Sequence, residues 1–279
     1  MNKYLRNLMT VFNSRKELKL LKEFTPSVDL KYSIGITTFD KRFEKYFIPL
    51  LKQIKFEKPD IEIIVSINGN YKNCFNQNYR KDILNCLSNY DNVFPVFFTE
   101  FRALAKMWNT ILIHSSNQYI LLLNDDISID RNFWSNFEKA IVYKNNKCFT
   151  INKSWSHIFL NRDEINQTGW FDERLLGIGE EDGDMAWRYE MHYQNKLDNI
   201  FLKGIFNHVE MNDCEQEFTK HGNSNKYSAF NREFILKKYI EDDINGEQHG
   251  LFPKKVICKV EDIHQYPYEN FYWQNKNKF

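Results

Sequence analysis

Between residues 32 and 125, short apolar runs alternate with stretches whose apolar positions recur at helical spacing. YSIGITTF at 32–39 predicts a strand, KRFEKYFIPLLKQI at 41–54 a helix kinked or started near Pro49, and DIEIIVSIN at 60–68 a second strand. Helical spacing returns over 77–90, VFPVFF at 93–98 reads as a strand, and 101–115 as a helix. QYILLLND at 118–125 is a buried strand ending in polar residues. Strands that are apolar on both faces, joined by helices, imply a mostly parallel sheet covered on both sides. In such sheets ligands gather beyond the C-terminal strand ends. Those ends carry Thr37-Thr38-Phe39-Asp40, Asn68-Gly69-Asn70 and Asn124-Asp125-Asp126.

The second half is less regular. KCFTINKSWSHIFLNRDEI at 147–165 predicts strands and a short helix, and the Gly-rich GWFDERLLGIGEEDGD at 169–184 leads into a helix carrying Met185, Ala186, Trp187 and Tyr189. Residues 197–206 suggest another strand, 213–228 a polar loop, and NREFILKKY at 231–239 a helix. The tail after His264 is aromatic and basic without a period. With no internal repeat and no long Pro/Ser-rich linker, the expected organisation is an N-terminal helical extension over 1–28 and a single domain over 29–279, in halves 29–150 and 151–279. The extension places Leu5, Leu8, Met9 and Phe12 on one side among interspersed lysines and arginines. Such a face covers a domain or lies peripherally on an anionic membrane.

Composition narrows the classes. Of 279 residues 42% are hydrophobic and 16% aromatic, enough for a substantial core. Lys plus Arg number 38 against 37 Asp plus Glu, a net charge of +1, so no polyanion-binding surface and no nucleic-acid partner is expected. No apolar run approaches the roughly 20 residues of a bilayer span, and no secretory leader is visible, which predicts a cytoplasmic protein. The five cysteines are scattered without a CxxC pair, so they read as reduced thiols. Neither GxGxxG nor GxxxxGK[ST] occurs, which removes the main sign of a dinucleotide fold or a P-loop.

Two acidic clusters carry the candidate chemistry. Asp125 and Asp126 end an apolar strand, a placement suited to a hard divalent cation such as Mg2+ or Mn2+ that shares its shell with phosphate oxygens. A turn or helix cap is the plainer reading, although Asp130, just before RNFWSNFEKA, is the better N-cap. Glu180, Glu181, Asp182 and Asp184 crowd four carboxylates into five positions. They suit a helix start electrostatically, and a solvated turn would tolerate them. If they approach the first cluster, one of them can act as a general base while the other cluster holds the metal. His208 adds an imidazole after an apolar run, either structural or metal-binding.

YSIGITTFDKR, EIIVSINGN, YILLLNDDIS, GWFDERLLGIGEEDGDMAWR and FNH occur in an order that resembles nucleotide-sugar-dependent glycosyltransferases of the GT-A fold, most like the family 2 group. The resemblance covers about Tyr32 to His208, and its most specific part is GWFDE with EEDGD. It implies an α/β, Rossmann-like, mostly parallel central sheet flanked by helices. Residues 29–150 would be the nucleotide-sugar-binding half and 151–279 an irregular acceptor-binding half. Asn124-Asp125-Asp126 takes the position of the family's DXD motif: Asp126 would hold Mn2+ or Mg2+ against the donor diphosphate and Asp125 would lie near the donor sugar or ribose. Asp182 matches the acid that deprotonates the acceptor hydroxyl in inverting enzymes, with Glu181 beside it toward the acceptor. Thr38 and Asp40 would lie beside the nucleotide, with Asn68 ending the second strand and Arg102 or Lys106 nearby. His208 matches a histidine that contacts metal or diphosphate in some relatives. Trp170, adjoining the acids, would face the acceptor sugar, whereas Trp187 is expected to pack.

The sequence departs from the family in two places. Asn124 stands where the motif begins with Asp, and Ile67, followed by Asn68-Gly69-Asn70, stands where an Asp usually reads the base, which leaves the nucleotide open. The expected activity is metal-dependent transfer of a hexose-like sugar to a hydroxyl of a glycan or lipid-linked glycan, of the kind that builds capsule or lipopolysaccharide. A nucleotidyltransferase or metal-dependent phosphohydrolase uses similar acids, and a carbohydrate-binding protein that kept the fold without catalysis is the third alternative.

Overall fold

A computed structural model describes residues 13–39, 42–69, 77–208, 227–240 and 257–258. Their strands are β1 (Tyr32–Thr38), β2 (Ile63–Ile67), β3 (Val93–Phe97), β4 (Tyr119–Asn124), β5 (Ile127–Ile129), β6 (Phe149–Ile151), β7 (Ser154–Asn161), β8 (Asp198–Ile200), β9 (Ile205–Asn207), β10 (Tyr239–Ile240) and β11 (Ile257–Cys258). The helices are α1 (13–21), α2 (Ile48–Glu57), α3 (Gln77–Leu87), α4 (Leu104–His114), α5 (Arg131–Tyr143), α6 (Arg162–Thr168), α7 (Glu181–Tyr193) and α8 (Ser228–Lys238). A π-helical turn, Phe43–Phe47, precedes α2, and Pro49 sits in the first turn of α2, where its missing N–H costs no intrahelical bond.

The chain divides into two compact units. The first draws on Met1–Phe101, Thr110–Glu164 and Leu197–Glu210. Its seven-stranded sheet has the order β3-β2-β1-β4-β7-β6-β8. β3, β2, β1 and β4 run parallel, and every residue of β1 and β2 is buried, which is why these runs lack alternation. β3 is an edge strand, the position where Pro95 leaves no ladder bond unmade. One sheet face, with Ile34, Ile36, Val65, Leu121 and Leu123, joins Phe43, Phe47, Leu50, Ile54, Phe133 and Phe137 in a single core. Phe137, Phe149 and Phe159 meet there at centroid distances of 5.0–6.4 Å.

β7 enters the sheet antiparallel to both β4 and β6, a departure from the parallel pattern of the first four strands. The cause is local. Asn152 and Lys153, the two residues between β6 and β7, have φ of 55° and 57°, as a tight hairpin turn requires. The single strand expected over 197–206 is two: β8 pairs with β6 in the large sheet, while β9 pairs with β5 in a separate ladder. Asp130 caps α5 as expected, accepting from the Asn132 N–H at 2.7 Å.

The second unit draws on Arg102–Asn109, Ile165–Lys196 and Met211–Phe279. Leu175 and Ile235 form a small core with Trp187, Met191 and Phe234, so Trp187 packs as expected. Beside this core lies a buried ionic network. Lys238 of α8 meets Asp172 at 2.8 Å and Asp184 at 2.7 Å, Arg174 meets Asp172 at 2.7 Å, and Arg188 meets Asp184 at 2.9 Å. Among the described residues no helix is long and apolar enough to cross a membrane. Residues 1–12 and 213–226, expected to be part of a helical extension and a polar loop, lie outside the described residues.

Candidate active site

The central strand β4 ends at Asn124, and the next two residues are carboxylates that share one cationic partner, Arg42. The Thr38 hydroxyl, from the end of β1, donates to Asp125 Oδ2 at 2.8 Å. Arg42 Nη2 lies 2.6 Å from Asp125 Oδ1 and 2.9 Å from Asp126 Oδ2. Both acids are buried, with 3% and 8% of their surface exposed. Burial pushes Asp125 up to about 6, Arg42 opposes that rise, and the neighbouring Asp126 adds to it. Among the described residues, Asp126 Oδ1 is buried without a hydrogen-bond partner.

Around these acids the strand ends interlock. The Asn68 N–H donates to the Thr38 carbonyl at 2.8 Å, and its side-chain Oδ1 accepts from the Gly69 N–H at 3.0 Å. A Cβ on Gly69 would stand 2.4 Å from the Glu100 carbonyl carbon, so only glycine permits this approach of the two chain segments. The His208 N–H donates to the Asp126 carbonyl at 2.7 Å, which fixes the backbone of the two residues side by side while the His208 side chain is exposed. Thr38, Asn68, Asp125, Asp126 and His208 are thus neighbours in the first unit. Asp40, expected beside the nucleotide, lies outside the described residues.

The second acidic cluster is built differently. Glu180 is the N-cap of α7 in a left-handed conformation (φ 75°) and makes no side-chain cap. Glu181 and Asp184 are buried, which excludes a merely solvated turn. Asp184 belongs to the ionic network, as does Asp172 of GWFDE. Glu173 of the same motif binds Lys106 at 3.1 Å and the Asn109 amide at 2.9 Å, so Lys106 is committed to a buried partner within this unit. Arg102 is largely buried as well. Trp170 is half-buried, its indole N–H on Asn166 at 2.9 Å and its carbonyl on Arg188 at 2.7 Å.

That leaves Glu181 and Asp182. Glu181 accepts from the Gly179 N–H at 2.6 Å and Asp182 from the Gly183 N–H at 2.8 Å, and neither meets a cation among the described residues. Burial, then the charge of Asp182, pushes Glu181 up to about 8. Burial also raises Asp182. Gly177, at φ 59°, packs so closely on Tyr227 that a Cβ would sit 2.0 Å from the ring. From α8, Asn231 donates to the carbonyls of Leu176 and Gly179, each at 2.8 Å, and accepts from the Leu176 N–H at 2.8 Å, stapling the loop that ends in these acids.

Arg42 carries little mark in the sequence beyond following Asp40 by two positions; its role depends on a contact across more than eighty residues. Asn231 is equally silent there. A divalent cation fits the first cluster in one respect: a buried carboxylate oxygen, Asp126 Oδ1, has no hydrogen-bond partner among the described residues. Among the described residues no three His, Cys, Asp or Glu side chains form a complete cation site, so most ligands would come from phosphate and water.

No protein-family model matches the chain, and no curated protein matches it. Among solved structures, it is similar to TarS of S. aureus in complex with UDP, at 14% identity over 63% of this chain and 59% of that one, TM-score 0.48. A mannosyltransferase, PcManGT of Pyrobaculum calidifontis, in complex with GDP-Man and Mn2+, matches at 12% identity over 71% and 63%, TM-score 0.48. GalNAc-T7 with UDP, GalNAc and Mn2+ matches at 10% over 62% and 43%, TM-score 0.47. The chain therefore spans less than two thirds of each, at scores that leave the chemistry to be argued from its own residues. Those residues form an α/β fold with a Rossmann-like, largely parallel sheet, flanking helices and an irregular C-terminal region.

Proposed function

We propose that this chain is a glycosyltransferase that moves a hexose-like sugar from a nucleotide-sugar donor to a hydroxyl of a glycan or lipid-linked glycan acceptor, with inversion. The observation that carries the reading is the buried Asp126 Oδ1, without a hydrogen-bond partner among the described residues, just past the C-terminal end of the central strand β4. Strand ends of this kind are where α/β sheets receive ligands. An isolated buried carboxylate oxygen is costly unless a cation or donor completes it.

In this reading Asp126 would hold Mn2+ or Mg2+, which would supply Lewis-acid stabilisation of the departing nucleoside diphosphate. Thr38, Asn68 and Asp125 line the donor side together with Asp40, and Arg102 supports the nucleotide, since Lys106 is paired with Glu173. His208 adds a metal or diphosphate contact. Asp182 takes the proton of the acceptor hydroxyl as its oxygen bonds to the anomeric carbon and the bond from that carbon to the phosphate oxygen breaks. Glu181 and Trp170 face the acceptor. Asp182 is assigned the base because it is the less buried of the two acids, whereas Glu181 is buried and its carboxyl is pushed up by that burial and by the charge of Asp182. The family-level resemblance of DXD-like and ED-like motifs points the same way.

A panel of UDP-, GDP- and dTDP-sugars, assayed for nucleoside diphosphate release with Mn2+, Mg2+ or EDTA, tests the proposal. Acceptor-stimulated release from at least one donor, abolished by EDTA, is expected. Pyrophosphate release from a nucleoside triphosphate without any donor turnover would instead identify a nucleotidyltransferase. Product NMR that finds the donor's anomeric configuration retained would reject inversion.

A further inference from the structure

The side chain of Arg42 is only 12% exposed and lies across both carboxylates that follow β4. Its backbone N–H is tied to the Phe39 carbonyl at 2.9 Å. The guanidinium also lies over the Phe39 ring at 5.8 Å and the Tyr46 ring at 5.2 Å, so it is held from behind as well as in front. A guanidinium does not lose its proton in proteins, so its charge leaves the acids only if the side chain moves.

We propose that Arg42 is the resident counter-cation of Asp125 and Asp126, and that a divalent cation must take Asp126 from it. The inference rests on the reading of Asp126 as the cation-holding residue. Two adjacent buried carboxylates repel each other, and one guanidinium bridging them lowers the net charge of the group to −1. A divalent ion approaching Asp126 then meets a fixed positive charge, and one of the two carboxylate oxygens is already committed at 2.9 Å. A nucleoside diphosphate removes both obstacles. Its oxygens complete the cation's shell, and its negative charge gives Arg42 a new bidentate partner. The cation and the diphosphate therefore enter as a pair, and by reciprocity each raises the affinity for the other. Arg42 is a positioning residue here: it acts on the cation through the carboxylates.

The test is Mn2+ binding to the full chain, read by electron paramagnetic resonance of free Mn2+, with and without UDP or GDP. For the unaltered protein, whichever of UDP or GDP binds should raise Mn2+ affinity about tenfold or more. Arg42→Gln should bind Mn2+ about tenfold more tightly than the unaltered protein without any nucleotide, and the effect of nucleotide should shrink toward unity. Arg42→Lys, whose ammonium keeps the charge but loses the planar bridge, should fall between them. Mn2+ affinity without nucleotide that is equal or weaker in Arg42→Gln overturns the proposal. If circular dichroism shows Arg42→Gln unfolded, Arg42→Lys decides: tighter Mn2+ binding than in the unaltered protein supports the proposal and equal binding overturns it. Mn2+ binding strengthened by Arg42→Gln, with neither UDP nor GDP bound, removes the donor reading and keeps the counter-cation. No Mn2+ bound by any form removes both.

Discussion

Glu181 and Asp182 are sequence neighbours, yet the helix start treats their carboxylates unequally, because Glu181 points into the second unit's interior and Asp182 is only partly covered. Glu181, pushed up to about 8, binds a proton in the folded chain that the unfolded chain releases above its ordinary value of 4.5. Its contribution is thus full at low pH and is lost as pH rises from 4.5 through about 8. Urea unfolding should show Glu181→Gln losing less stability than the unaltered protein between pH 5 and pH 9, by on the order of 2 kcal/mol. Parallel curves would mean that the carboxyl is not held protonated. His157 has the opposite sign. It is buried on β7 opposite Leu123, both ring nitrogens lack hydrogen-bond partners among the described residues, and burial lowers it from 6.5 to about 4. The unfolded chain takes up that proton first, so His157 costs stability as pH falls from 6.5 toward 4. His157→Leu should lessen the acid-side loss by on the order of 2–3 kcal/mol, and an unchanged acid limb would contradict the assignment.

At the scale of elements, the sequence made the parallel strands legible because each is apolar on both faces and ends in polar residues. The antiparallel entry of β7 was not legible, since Asn152-Lys153 is not a common hairpin pair and only its left-handed backbone reveals the turn. Glycine adopts that conformation without the Cβ penalty that Lys153 carries. Lys153→Gly should therefore raise stability by about 0.5–1 kcal/mol in thermal or urea unfolding, and Lys153→Val should lower it. The break that splits 197–206 was likewise hidden, because β8 and β9 belong to different ladders and their partners lie far away in the chain. Of the candidate residues, the acids and Thr38 could be read from strand ends and spacing. Arg42 and Asn231 could not, because each acts through contacts more than fifty residues distant.

Across the whole molecule, half of the acids crowded into GWFDE and EEDGD, Asp172, Glu173 and Asp184, belong to structure. Asp172 and Asp184 share Lys238, which follows them by 66 and 54 residues, and Glu173 is held by Lys106 and Asn109. Lys238→Met leaves two buried carboxylates short of a cation and should cost about 3–5 kcal/mol. A loss below about 1 kcal/mol would show that Arg174 and Arg188 suffice. Once these structural acids are set aside, Asp126 and Asp182 remain as the acids on which the proposed transfer depends. The most direct measurement is the turnover of Asp126→Asn and Asp182→Asn, each assayed alone with the donor that the unaltered protein uses. Each variant should lose about 100-fold or more in kcat while retaining native circular dichroism. Turnover equal to that of the unaltered protein in both would contradict the proposed transfer.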